Sequence, residues 1–283
     1  MPKTPWTPWH QVVTLREDLR TGALALNEFA ADLYDVALAR GTRPIYEDPR
    51  QFFALTYPTT ALRELAKDVV HRLAARNQKA VRQLELTYGG GKTHTLITLY
   101  HLVHDPSALP DVAAVREFQA HIDLPIPATR VAVLPFDKID VEKGMLTRSP
   151  AGEERMLRKP WSILAWQLAG TAGLRFLHAD DKEEERQSAP AENLLRNLLE
   201  MPGKDGLSTL VLIDEVLMFA RGAVDVDPGW VERLKNFFQA LTQAATKVDR
   251  CAIVASLLAT DIRMSDEIGN QIKADLTKKY LTK

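Results

Sequence analysis

Three consecutive glycines, Gly89 to Gly91, run straight into Lys92 and Thr93, and much further along an apolar run, Leu210 to Ile213, ends in Asp214-Glu215. Residues of these types can together hold a polyphosphate and a divalent cation. Glycines tolerate positive φ and let backbone N–H groups turn inward, with no Cβ in the way of an anion. Lys92 adds a point charge and Thr93 a hydroxyl suited to Mg²⁺, and a helix starting here points the positive end of its dipole at the same place. Asp214 would hold the Mg²⁺, mostly through water, and Glu215 would accept a proton from a water attacking phosphorus.

The usual phosphate-loop pattern is G-x-x-x-x-G-K-[ST], and its first glycine would fall at Leu86, so the strict motif is broken. A glycine turn followed by an amphipathic helix is the plainer alternative, and Asp214 and Glu215 could simply cap a helix containing Leu217, Met218 and Phe219. Context favours the phosphate loop. Residues from Arg82 to Leu86 alternate as a short strand does, the spacing after Lys92 is helical, and a further strand is expected between the two motifs.

The remaining elements must position these groups. Residues 1–80 read as a helical N-terminal segment and 81–283 as the nucleotide-binding core. Asn27 can cap a helix carrying Phe29, Leu33 and Val36 that Gly41 would end; Asp48-Pro49 starts another, and Thr60 opens a third with Leu62, Leu65, Val69 and Leu73 on one stripe. Trp6, Trp9, Tyr46, Phe52 and Phe53 could frame an adenine pocket, although packing between helices is the commoner use of such rings. A short helix is expected from Asp111 to Ile122 and a buried strand from Arg130 to Phe136. Asp137 and Asp140, just past it, read as solvated loop acids in preference to ligand contacts. Residues 141–159 read as loop. Pro160 opens a helix that Gly170 and Gly173 close, Asp227-Pro228 caps a long one, and Cys251 to Leu257 is the last buried strand. In P-loop ATPases with an extra strand between the two motif strands, that strand carries a polar sensor at its tip; Ser256 is the candidate, with Thr260 second.

Composition sets the outer bounds. The chain has 283 residues, 46% of them hydrophobic, enough for a substantial core. A formal net charge of −1 gives no global pull toward nucleic acid, so a DNA partner has no support from charge. The single cysteine, Cys251, excludes an internal disulfide and lies in an apolar run, which suits a reducing cytosol. The N-terminus lacks the apolar stretch of a signal peptide, and no uncharged apolar run approaches membrane-spanning length, so no membrane partner is expected and the cytoplasm is.

The sequence resembles the N-terminal part of the domain-of-unknown-function 499 family, AAA-like prokaryotic ATPases associated with DNA-modification and phage-defence genes. Leu26 to Leu33, Tyr46 to Phe53 with Thr56-Tyr57, Tyr88 to Leu96, Trp161 to Leu168, and Leu212 to Val216 carry the likeness. It implies an α/β P-loop NTPase core, a parallel sheet flanked by helices, in which residues 251–257 lie between the phosphate-loop strand and the acidic strand. On the AAA-type strand order 5-1-4-3-2, the fifth strand, the helical lid, a second sensor and an arginine finger would fall beyond Lys283, so a fragment is expected. The resemblance also implies binding of ATP with Mg²⁺ by Gly89, Gly90, Gly91, Lys92, Thr93 and His94, metal contacts from Thr93 and Asp214, and hydrolysis through Glu215, Lys92 and Ser256. A homo-oligomer or defence-system proteins would be the partners. A nucleotide-gated interaction module with little turnover and a P-loop small-molecule kinase are the alternatives.

Overall fold

Three runs, Thr129–Pro135, Ser208–Asp214 and Cys251–Ser256, are apolar nearly throughout and can offer no face to water; each is a strand with almost every residue buried. In the computed structural model, which describes residues 7–14, 20–21, 31–84 and 91–256, these are β2, β5 and β6. With β1 (Val81–Leu84) they form one parallel sheet in the order β1-β6-β5-β2. β6 thus lies between the strand that leads toward the glycine turn and the strand that ends in Asp214, as expected from the sequence.

The chain divides into two compact units, residues 1–31 and 32–283. In the first, a single helical turn, α1 (Trp9–Val12), is described. The helices from residue 32 onward, set apart from the core in the sequence reading, belong to the same unit as the sheet. Asp32 starts α2 (Leu33–Leu38) by accepting from the amides of Tyr34 and Asp35, and Ala39 in the left-handed region ends it. The expected cap, Asn27, lies outside the described residues. Asp48 caps α4 (Pro49–Ala54) after the single turn of α3 (Pro44–Glu47), and the Thr59 hydroxyl caps α5 (Thr60–Leu73). Helices α5 and α6 (Lys92–His104) pack on one face of the sheet, with α7 (Ala113–Ile122) against α5. On the other face α8 (Pro160–Leu177) covers β2 and α11 (Trp230–Thr246) covers β6, with α9 (Glu192–Glu200) and α10 (Val216–Val226) packed on α11. Among the described residues no helix is long and apolar enough to cross a membrane.

One expectation fails and another holds only in part, each for a physical reason. Residues 141–159 are not plain loop: Met145–Arg148 (β3) and Glu154–Leu157 (β4) pair as an antiparallel hairpin, and only one face, with Met145, Thr147 and Leu157, is buried. Its charged outer face concealed the alternation. Gly170 does break the helix, as expected, but a second helical stretch follows directly and carries through Gly173 to Leu177. Gly170 kinks α8 (φ 55°, ψ −136°), and a Cβ on Gly173 would stand 2.2 Å from the Ala165 carbonyl oxygen, so glycine is what lets the two halves close on each other.

One buried charge ties the helices to the sheet. Arg72, on α5 and 1% exposed, spends its guanidinium on backbone oxygens: Nε donates to Cys251 (3.0 Å), Nη2 to Ala245 (3.1 Å) and Val248 (2.6 Å), and Nη1 to Asn77 (3.1 Å). Burial pulls its pKa down, but the fork satisfies carbonyls where α11 turns into β6. Beside it Cys251 is fully buried, and burial pushes its thiol up to about 12.

Arg72→Ala would strand these carbonyls and is expected to cost about 3 kcal/mol, read as a lower urea midpoint with an unchanged slope. Arg72→Lys, with charge but no fork, should recover little of the loss; full recovery would show that charge alone matters.

Candidate functional site

Parallel pairing aligns the strand ends. Leu84 pairs with Ser256, Ile213 with Ala255, and Pro135 with Asp214, so the last residues of β1, β6, β5 and β2 form one row at the carboxyl edge of the sheet. That edge is where open α/β sheets bind ligands. At the end of β5 the chain turns abruptly. Glu215 adopts the left-handed conformation (φ 54°, ψ 38°) and α10 begins at the next residue. A glutamate in that region is strained by roughly 1 kcal/mol or more, so the surrounding packing imposes the conformation.

The helix that follows the glycine tripeptide meets this edge. Gly91, also left-handed (φ 79°), precedes α6, and its carbonyl accepts from both the amide and the hydroxyl of Thr95, at 2.9 Å each. Lys92 is buried, at 7% exposure. The Thr93 hydroxyl donates to Asp214 Oδ2 at 3.1 Å, joining the two motifs across 121 positions of sequence. Gly89, Gly90, Leu86 and Thr260 lie outside the described residues. His94 turns its ring elsewhere: Nε2 lies 3.1 Å from the Thr56 hydroxyl and the ring packs on Phe52, 4.6 Å between centroids. Burial lowers its pKa.

The acids are arranged against their own solvation. Asp214 is 4% exposed; burial raises its pKa, and hydroxyls of Ser256 and Thr93 and the Glu215 amide pull it back. Burial also raises Glu215, reinforced by Asp214 and by Asp137 and opposed by Lys92. The Ser256 hydroxyl stands near enough to favour ionised Asp214. Yet neither Ser256 Oγ nor Asp214 Oδ1, both buried, completes a hydrogen bond among the described residues. Buried polar atoms left open in this way are unusual and mark a place where a ligand can supply the partner.

Asp137 is exposed, as a solvated acid would be, yet its charge reaches the site. Two residues past the β2 position that pairs with Asp214, it adds its field to both acids, while Lys138 bridges it at 3.1 Å and Asp32 at 3.0 Å. Position just past the end of a buried parallel strand was the available signal. Asp140 is indeed a loop acid, accepting from the amides of Glu142 and Lys143.

Chemically the cluster offers oxygen donors. Thr93 Oγ1 and Asp214 Oδ2 are separated by close to the edge of an octahedron with magnesium-length bonds, about 2.9 Å. Among the described residues no three His, Cys, Asp or Glu side chains are grouped to hold a metal.

A family model described as the DUF499 N-terminal domain matches residues 10–281, and the chain belongs to that family. Comparison with curated proteins and with solved structures returned no significant match.

Folding raises the Asp214 pKa, so ionisation of this group opposes folding: the penalty is absent below the unfolded-chain value, near 4, and complete above the folded value. Asp214→Asn is therefore expected to stabilise the chain by about 1 kcal/mol at pH 7, with the gain vanishing toward pH 4. Thermal melts across that range measure it; a less stable Asn variant at pH 7 would show that the carboxylate is held favourably.

Proposed function

We propose that this DUF499 N-terminal domain is a P-loop ATP-binding module that hydrolyses ATP with Mg²⁺. The observation that carries the reading is the Thr93–Asp214 contact, which brings the Gly-Lys-Thr turn and the acidic doublet to one point on the carboxyl edge of a parallel sheet. The four-strand order supports it.

Each residue has a role that its surroundings suit. Gly91, in a conformation that leaves no side chain toward the ligand, and the first turn of α6 would offer amides and a positive dipole to the phosphates. Lys92, buried beside Glu215, would neutralise phosphate charge in a low-dielectric setting where one ammonium counts for more than in water. Thr93 Oγ1 and Asp214 would hold the Mg²⁺. That ion, when bound, draws charge from the phosphate oxygens as the terminal phosphoryl group departs. Glu215 would orient a water and take its proton, and the raised pKa that burial, Asp214 and Asp137 give it makes it a stronger base. Ser256, at the row's centre with an open hydroxyl, would contact the phosphate or the attacking water. A reducing cytosol, rich in MgATP, is the compartment this reading implies.

The test is titration with a fluorescent ATP analogue, with and without Mg²⁺, alongside phosphate release. Lys92→Ala is expected to lose tenfold or more in affinity; Glu215→Gln should bind normally and lose about a hundredfold or more in turnover. Wild-type turnover should fall as pH drops through the raised Glu215 pKa, because only the ionised carboxylate accepts a proton. Equal affinity in wild type and Lys92→Ala would refute the phosphate site. Binding without steady-state hydrolysis would make the chain a nucleotide-gated interaction module.

A further inference from the structure

Of the aromatic side chains weighed as an adenine pocket, Trp6 and the Trp9 ring lie outside what is described, and the other three are not available for one. Tyr46, Phe52 and Phe53 are 8%, 1% and 1% exposed, and they pack on one another and on His94 and His101 of α6. Among the described residues one aromatic stands largely in solvent. Tyr57 is 80% exposed, and Leu55, two residues before it, is 43% exposed. A lone exposed ring is ordinary on a protein surface. This one has an unusual address.

Its backbone is fixed on both sides. The buried Thr56 donates its hydroxyl to the Phe52 carbonyl at 2.8 Å, lies 3.1 Å from His94 Nε2, and gives its amide to Phe53 at 3.3 Å. After Tyr57 comes the buried Pro58, with its φ set by the ring, and the Tyr57 carbonyl accepts from the Thr59 amide at 2.9 Å just before α5 begins. His94 in turn sits in the first turn of α6, two positions past Lys92. Tyr57 is thus one residue, about 3.8 Å of backbone, from a side chain bonded to the helix that opens at Lys92. A ring with two torsions, carried on a pinned corner, loses little freedom when something flat settles on it.

We infer that Tyr57 is the stacking platform for the base of the nucleotide whose phosphates meet Lys92 and Thr93, with Leu55 beside it. The inference rests on the phosphate reading of the Gly-Lys-Thr turn and extends it from the phosphates to the base. Stacking of this kind reads the π-face of a base and not its hydrogen-bonding edge.

Calorimetric titration of the full chain with MgATP and, separately, with magnesium tripolyphosphate tests it, because the second ligand has the phosphates and no base. Tyr57→Ala is expected to weaken MgATP roughly tenfold and leave tripolyphosphate unchanged. Tyr57→Phe should bind both as the wild type does, and Lys92→Ala should weaken both. The thermal midpoint of Tyr57→Ala should match the wild type, since the ring is exposed. Unchanged MgATP affinity in Tyr57→Ala, or an equal loss for the two ligands, would overturn the platform and leave the phosphate site standing. Lys92→Ala with both affinities intact would overturn the phosphate site, and the platform with it.

Discussion

Everything at the carboxyl edge depends on the placing of β6 between β1 and β5. The strand that leads toward the glycine turn and the strand that ends in Asp214 are not neighbours, so each takes its register from a third strand formed last in sequence. Because all pairing is parallel, the strand ends line up without any turn to hold them, and Ser256 comes to stand between Leu84 and Asp214. The Thr93–Asp214 hydrogen bond then becomes possible across a sequence separation of 121. Pairing of this range is slow to form, since distant segments must meet before any contact rewards them. Arg72 eases that demand at the opposite end of β6 by tying its first residue and the end of α11 to α5.

At this edge the protein departs from the rules that serve stability elsewhere. An aspartate is buried without full compensation, a lysine lies almost out of solvent, and a glutamate occupies a backbone region that glycine or asparagine would fill at less cost. Such departures gather where a fold is shaped for a ligand instead of for itself. Asp137 deepens the pattern. An acid that raises the pKa of two other acids is unfavourable for folding, and on the proposed reading it would favour proton transfer.

Much of this was readable from residue order. The strand runs at 129–135, 208–214 and 251–256 declared themselves because a parallel sheet covered on both faces leaves no polar side, and Asp48-Pro49 marked a helix start through its own capping chemistry. Other features were hidden because their causes are not local. The β3–β4 hairpin carries Glu154 and Arg155 in a strand, and only its packing against α8 shows which face is core. Gly170 and Gly173 look like a terminator until the close approach to Ala165 reveals a kink. Arg72 is a residue type that usually stays in solvent or in a surface ion pair, and three of its partner carbonyls lie more than 170 residues away. His94 follows the Gly-Lys-Thr motif in sequence yet points its ring at Phe52 and Thr56, which periodicity does not disclose.

The placement of Cys251 has a kinetic corollary. The only sulfhydryl in the chain opens the innermost strand between the two motif strands, wholly enclosed, with its ionisation suppressed to about 12 and its carbonyl clasped by Arg72. Alkylating reagents attack the thiolate, so labelling must wait for β6 to part from its neighbours. Nature has thereby installed a reporter at the one strand whose separation dismantles the whole edge, and its modification rate times how often the sheet comes undone.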